Sequence, residues 1–493
     1  LPSARRLEVS SNRLRRLRST LSTETDVGRV GDSCLLAVLV FAAVEVIAAP
    51  VYLSTARRQW FFLDEWDFLA HRTAWNLGDL FRPHNEHWQT LPILWYRLLW
   101  NLFGLRTYVP YQLTTILLHL LAAILLRVIM RRAGVSPWIA TIAAGSFALF
   151  VSGSQDIVWG FQVGFDASLV FGLVALLVND HDGPVDRRDW LALGVGLLAL
   201  LCSGVGVTMV FVVTLAAFLR RGLRPAAFQA VPLAFVYVVW FLGSGHRGYS
   251  PVQPSVGHMA LFIWTAVSAT FAALGGFPGV GLALGAFLVL GLWWARRSLR
   301  GRAASCVALL AGAILFLAIN AFGRAGLLGP SAGRSERYLH LSAALSLPAI
   351  AFAIDAVARR LRILGALALV ALVLGSVSNV QLLHSWTRHH GYTLGSKSLT
   401  LTYPLVPAAS EVPRSTVVGL FQSATDGPTI GWLLNGVQQG RVPPPSRIDP
   451  AIADLAERNL RAAARAGDLP APQGRGGEVK SDSPPRGRIW LAR

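Results

Sequence analysis

The sequence is poor in the residues on which most soluble folds depend. Only 14% of its 493 residues are charged, with 26 Asp and Glu set against 45 Lys and Arg. Its three cysteines, Cys34, Cys202 and Cys306, lie far apart in apolar surroundings, which excludes a disulfide framework or a cysteine ligand set and leaves them as packing residues. None of the 46 glycines builds a phosphate-binding loop, so nothing points to a nucleotide. A net charge of +19 raises the question of nucleic acid. The arginines come in pairs and triplets between apolar runs, however, which is the pattern of membrane-protein loops.

What is there is apolar. Residues of the hydrophobic set make up 53% of the chain and the mean hydropathy is +0.49, more than a soluble domain of this length needs to fill a core. Segments long enough to cross roughly 30 Å of hydrocarbon occur near 34–53, 108–130, 136–152, 164–178, 226–242, 279–295, 303–320, 339–357 and 363–380. The run 190–219, broken by "CSGVG", adds two short spans hinged at a tight turn. The expectation is an all-α polytopic membrane protein with about 11 transmembrane helices.

Arginine placement orients these spans, because positively charged loops resist translocation. A mobile cytoplasmic N-terminus (1–33) is expected, with Arg131 and Arg132, Arg187 and Arg188, Arg220 with Arg221, Arg296 with Arg297, and Arg359 with Arg360 on the same side. The loops near 54–106, 153–163, 243–258 and 321–338 then lie outside, followed by an external C-terminal lobe over 381–493, expected to be small and mixed α/β. Within that lobe a helix is expected from Asp449 and Pro450 to Gly467. The apolar segment 259–277 breaks this alternation if it crosses, and is read as a re-entrant or interfacial helix.

The scarce acids cluster. "FFLDEWDFL", 61–69, places Asp64, Glu65 and Asp67 at the start of the first external loop, whose stretch 88–103 reads as a helix lying along the membrane face. Two readings stand for Asp64 and Glu65: hydrated loop charges, or carboxylates beside low-dielectric lipid doing general-base work on a hydroxyl. In "HNEH", His84, Glu86 and His87 either contact substrate or surround a helix cap at Asn85, and both outrank a zinc site because the histidines are only three apart. Trp159 and Gln162 suit sugar stacking and hydrogen bonding, or interfacial anchoring. Arg337 and Tyr338, just before a late span, suit a phosphate grip or a headgroup anchor. Glu45, inside the first span, reads as a helix–helix hydrogen bond.

An acid pair soon after the first span, a later histidine motif and an Arg-Tyr before a late span together resemble the GT-C superfamily of polyprenyl-phosphate-sugar-dependent glycosyltransferases. The likeness is greatest to its bacterial family 39-like members, related to mannosyl- and arabinosyltransferases, and covers 34–380. Asp64 and Glu65 match the Asp-Glu form of the family's first-loop acidic motif, His84 matches the histidine of a His-Pro-Pro-Leu motif without its prolines, and Arg337 with Tyr338 match the late Arg-Tyr pair. The resemblance implies a multi-pass bacterial plasma-membrane enzyme, a hexosyl- or pentosyltransferase working on the outer face. Its donor would be a polyprenyl-phosphate sugar and its acceptor a hydroxyl of a cell-envelope glycan, lipid or protein.

On that reading Asp64 is the general base of an inverting displacement. Glu65 or Asp67 orients the acceptor or joins Asp64 in holding a divalent cation, Mg or Mn, and Arg337 stabilises the departing phosphate. The competing class is a transporter or flippase for a lipid or envelope precursor, for which ionisable groups near the bilayer midplane would be the signature.

Overall fold

The computed structural model describes residues 33–248, 252–386, 391–418 and 427–467. The expected N-terminal segment 1–33 therefore falls almost wholly outside the described residues.

Helices occupy every segment expected to cross. Long apolar ones are α1 (Ser33–Thr55), α5 (Val109–Arg132), α8 (Val163–Asn179, extended at its start by a 3-10 turn), α11 (Leu223–Gly243), α12 (Val256–Gly275), α14 (Ala304–Leu328), α15 (Glu336–Ala358) and α16 (Arg362–Trp386). By length and composition, 8 of the described helices can cross a membrane, or 9 if α6 (Pro137–Ala148) and α7 (Ser154–Val158), bent by 46°, count as one span. The expected eleven differs because it counts α9 (Arg187–Leu200, 14 residues), α10 (Val205–Arg221, 17) and α13 (Pro278–Trp294, 17), which at about 1.5 Å per residue fall short of a full crossing, and leaves out α12, which is long enough. The α9–α10 pair is hinged at Cys202–Gly204, as the broken run implied.

The arginine-rich loops gather at one end. Arg359 reaches the Gly134 carbonyl, Arg132 the Leu177 carbonyl, and Arg221 pairs with the buried Asp189 at 2.5 Å. The loops expected outside meet at the other end: Glu86 pairs with Arg324, Ser154 donates to Glu336, and the carbonyl of Asn85 packs against Gly248. Alternation of the arginine clusters is thus built into the packing.

α12 is long and apolar enough to cross, and its C-terminal end, Leu274–Gly276, packs on Leu374 and Gly375 near the middle of α16. Its Phe262 packs on Gly333 in the loop before α15, and its Ala273 carbonyl accepts from Asn379, which also binds the Ser152 amide. At the centre, α15 is 83% buried, against 17% for α1. Small residues allow this approach: a Cβ at Gly291 would sit 2.4 Å from the Ala353 carbonyl oxygen.

The first loop folds into α2 (Glu65–Ala70), α3 (Leu77–Phe81) and α4 (Thr90–Phe103). α4 leaves Leu94, Trp95, Leu98 and Leu102 exposed along one stripe, the face of a helix resting on a membrane surface. Its other face joins a second apolar core with the C-terminal lobe, made of α17 (Gly391–Thr402), α18 (Ala408–Glu411), α19 (Ile430–Gln438) and α20 (Pro450–Gly467). Trp432 stacks on Trp100 at 4.5 Å, and the Leu105 amide donates to the Arg441 carbonyl. Among the described residues the lobe is helical, with one bridge, Val417 to Thr429, rather than mixed α/β. Helix α20 begins where expected, the Asp449 carboxylate accepting from the Ala451 amide.

Candidate active site

The three clustered acids have three different surroundings. Leu63, at φ 49, turns the chain into α2 through a conformation that a branched residue seldom adopts, and leaves Asp64 and Glu65 pointing apart. Glu65 is fully buried and accepts from the Tyr96 hydroxyl at 2.7 Å, the Tyr108 hydroxyl at 2.9 Å and the Phe62 amide at 3.0 Å. Burial pushes its carboxyl up to about 7, with these hydrogen bonds opposing the rise. Glu65 is a tie inside the loop core, out of reach of a substrate or of a cation shared with Asp64.

Asp67 is paired with Arg72 at 2.7 Å and with His84 Nδ1 at 2.8 Å. Burial would raise its carboxyl, but the hydrogen bonds from His84 and Arg72 and the Arg72 charge hold it well below the usual carboxylate range. Arg72 also donates to the carbonyls of Asp79, Arg82 and Pro83, so this cation organises the strand-like approach to His84. Asp64 alone faces outward, its side chain 39% accessible and one oxygen 3.8 Å from His84 Nε2. For His84, burial works against charge, but Asp64 and Asp67 outweigh it and push the imidazole up to about 9. A cationic His84 therefore links the two aspartates at neutral pH.

"HNEH" opens no helix. His84 and His87 pair across a two-residue turn, with Asn85 at φ 50, a conformation that asparagine tolerates; the next helix starts only at Thr90. The cap expected at Asn85 is thus a hairpin turn, and its effect is to send Glu86 and His87 inward. Glu86 meets Arg324 of α14 at 2.5 Å, and His87 Nδ1 accepts from the Gly204 amide at 3.3 Å. A Cβ on Gly204 would lie 2.8 Å from that nitrogen, which explains a glycine at the hinge.

Glu86 and His87 border a cavity of about 350 Å³ between the first loop and α10, α11, α14 and α15. Its polar lining includes Glu86, His87, Asn320, Arg324, Arg337 and Tyr338, and its apolar wall includes Val205, Val238, Phe241, Phe316 and Ile319. Burial, then the charges of Arg324, His84 and Arg337, push His87 down to about 3, so it enters as a neutral imidazole. Arg337 rests over the Tyr338 ring at 5.2 Å. Two guanidinium groups beside an apolar wall suit one phosphate with a hydrocarbon tail.

Of the residues expected from the sequence, Glu86, His87, Arg337 and Tyr338 line this cavity; His84 joins the cavity-lining His87 across the two-residue turn, and Asp64 and Asp67 meet His84. Trp159 and Gln162 do not line it: Trp159 is buried and stacks on Phe62 at 4.7 Å, and Gln162 is buried. Neither carboxylate oxygen of Glu45 has a hydrogen-bond partner among the described residues, so the helix–helix bond expected there is not formed. Arg324 and Asn320 went unnoticed in the sequence, although an arginine closing the apolar run "AINAFGRAGLL" was the signal available.

No family model matches the chain, and no curated protein does. Among solved structures, the chain is similar to the crystal structure of ArnT from Cupriavidus metallidurans bound to undecaprenyl phosphate, at 16% identity over 83% of this chain and 89% of that one, with a TM-score of 0.47.

Proposed function

We propose that the chain is a GT-C-type glycosyltransferase that moves a sugar from a polyprenyl-phosphate donor to a hydroxyl acceptor. The observation that carries this reading is the cavity in which Arg324 and Arg337 face an apolar wall, beside the turn that joins its lining residue His87 to His84, the partner of the accessible Asp64. The donor phosphate sits between the guanidinium groups, with the first isoprene units against Phe241, Phe316 and Ile319. Asp64 takes the proton from the acceptor hydroxyl as its oxygen bonds to the anomeric carbon. The bond from that carbon to the phosphate oxygen breaks from the opposite face, inverting the configuration, and both electrons leave with the polyprenyl phosphate. Arg324 and Arg337 stabilise the charge that develops there, and the Tyr338 hydroxyl can donate to it. His84 holds Asp64 in place, and Asp67 orients His84.

The acceptor class is a hydroxyl of a cell-envelope glycan, lipid or protein, and the sugar a hexose or pentose. The transporter reading has one observation behind it, a set of ionisable groups inside the spans: Asp166, His340 and His119. Asp166 is the fourth residue of α8 and His340 the fifth of α15, near the site end of the bundle, whereas His119 is the eleventh of the 24 residues of α5. Incubating purified protein with a panel of radiolabelled polyprenyl-phosphate sugars tests the proposal. Release of polyprenyl phosphate with transfer of label supports it, whereas donor translocation across vesicles without any bond cleavage would establish the transporter instead.

A further inference from the structure

Behind the cavity lies a group of side chains that the transfer reaction does not use. Asp156 of α7, Asp166 of α8 and His340 of α15 are each 0–1% exposed, and one ligand atom from each falls within 4.8 Å of the others. His340 Nδ1 is 3.1 Å from an Asp156 oxygen and 3.7 Å from an Asp166 oxygen. Neither oxygen of Asp156 nor of Asp166 has a hydrogen-bond partner among the described residues. Two buried carboxylates without donors are costly unless a cation or a proton satisfies them.

The hydrogen bonds behind His340 decide which atom faces the carboxylates. His119 Nε2 lies 3.3 Å from the Ala148 carbonyl, which can only accept, so Nε2 carries the hydrogen. In a neutral His119, Nδ1 is then an acceptor. It lies 2.9 Å from His340 Nε2, which must therefore donate. A neutral His340 is left with an unprotonated Nδ1, and that lone pair points at two carboxylates. Three lone-pair donors thus converge on one point, while a carbonyl-backed second histidine fixes the tautomer, the outer-shell arrangement found behind metal-bound histidines.

We infer that Asp156, Asp166 and His340 form a binding site for one first-row divalent transition-metal ion, tying α7, α8 and α15 together behind the cavity. With bonds of about 2.1 Å, ligand atoms lie about 3.0 Å apart in adjacent octahedral positions and about 3.4 Å apart in a tetrahedron, close to the separations from His340. One imidazole nitrogen among carboxylate oxygens favours Mn, Fe, Co or Zn over Mg or Ca. The other His and Asp grouping, His181 with Asp186 and Asp189, needs no ion, since Arg221 already pairs with Asp189. Near Asp156, Arg337 exerts a Coulombic pull but forms no ion pair in reach of both aspartates. The site stands whether or not the chain transfers sugars.

Metal content gives the test. Full-length protein purified in detergent, stripped with a chelator and titrated separately with Mn²⁺, Fe²⁺, Co²⁺ and Zn²⁺, should take up about one equivalent of at least one of them. The Mn²⁺ form should show histidine-nitrogen coupling in its pulsed EPR spectrum. His340→Gln and Asp166→Asn should lose the equivalent, His119→Phe should weaken it by about 10- to 100-fold, and His181→Gln should leave it unchanged. Because a ligand variant could fail to fold, the wild-type protein supplies an independent reading: its thermal midpoint should fall on chelation and recover with the ion. Uptake of none of the four ions by the wild type, or full stoichiometry in both ligand variants, would overturn the site and leave a cluster that shares a proton through a cationic histidine.

Discussion

Asp64 and Glu65 are neighbours in sequence with opposite roles, and paired amide substitutions should separate them. In Asp64→Asn the lost charge was 39% accessible and 3.8 Å from its nearest cation, so solvent screening holds the stability change to within about 0.5 kcal/mol. Loss of the base should lower turnover by about 100- to 10,000-fold. In Glu65→Gln the amide has a single acceptor oxygen, yet the donors lie on both carboxylate oxygens: Tyr96 and Tyr108 on one, the Phe62 amide on the other. With its oxygen toward the Phe62 amide, the Gln NH2 can donate to the two tyrosine hydroxyls, whose own O–H groups then lose the carboxylate acceptor, at a cost of about 1–3 kcal/mol. The pH dependence should change as well. Glu65 is raised from 4.5 to about 7 in the fold, so the folded state binds the proton more tightly and stability falls as pH rises through that window. Glu65→Gln has no proton to bind and should flatten that slope. Initial rates with a labelled polyprenyl-phosphate sugar, and thermal unfolding in detergent from pH 4.5 to 8, read the two effects separately. If Glu65→Gln loses turnover with an unchanged unfolding midpoint while Asp64→Asn stays active, the roles assigned to the two residues are reversed and the burial argument fails.

Arg337→Lys and Arg324→Lys keep the charge but lose the planar fork, so each should raise the apparent donor requirement and lower turnover together; a variant with wild-type kinetics would remove that arginine from the phosphate site. His84 is raised from 6.5 to about 9, so its contribution to stability is complete below pH 6.5 and lost as pH rises to 9, and His84→Gln should abolish that part of the unfolding profile. In a background without native cysteines, Trp75→Cys, at a position 95% exposed in the first loop, should react with an impermeant thiol reagent in intact cells, and Ser298→Cys, in the arginine-rich loop, should not. The reverse labelling would place the cavity on the cytoplasmic side.

Much of this protein was readable from its sequence because the membrane reduces the choices. Spans must be apolar and, in this chain, helical, so the positions of the helices and the loops that meet at the site followed from period, length and charge, whereas α12, expected to be interfacial, is long and apolar enough to cross. Residues near the ends of spans, such as Arg337 and Tyr338, were legible for the same reason: a costly side chain there stands out against apolar neighbours.

Tertiary structure decided what the sequence could not. Asp64 and Glu65 look alike in a string of letters, but one positive-φ residue and two tyrosines contributed by α4 and the segment before α5 bury one carboxylate and leave the other accessible. "HNEH" became a turn rather than a cap because Asn85 adopts a left-handed conformation against Gly248, a contact 163 residues away in the chain. Arg324 joined the site, and Asp156, Asp166, His340 and His119 converged, only through packing among α5, α7, α8, α14 and α15. Side-chain period identifies which face of a helix is apolar. Which residues of distant helices share one point depends on crossing angles and axial offsets, set by the close fit of small residues and carried by no local pattern.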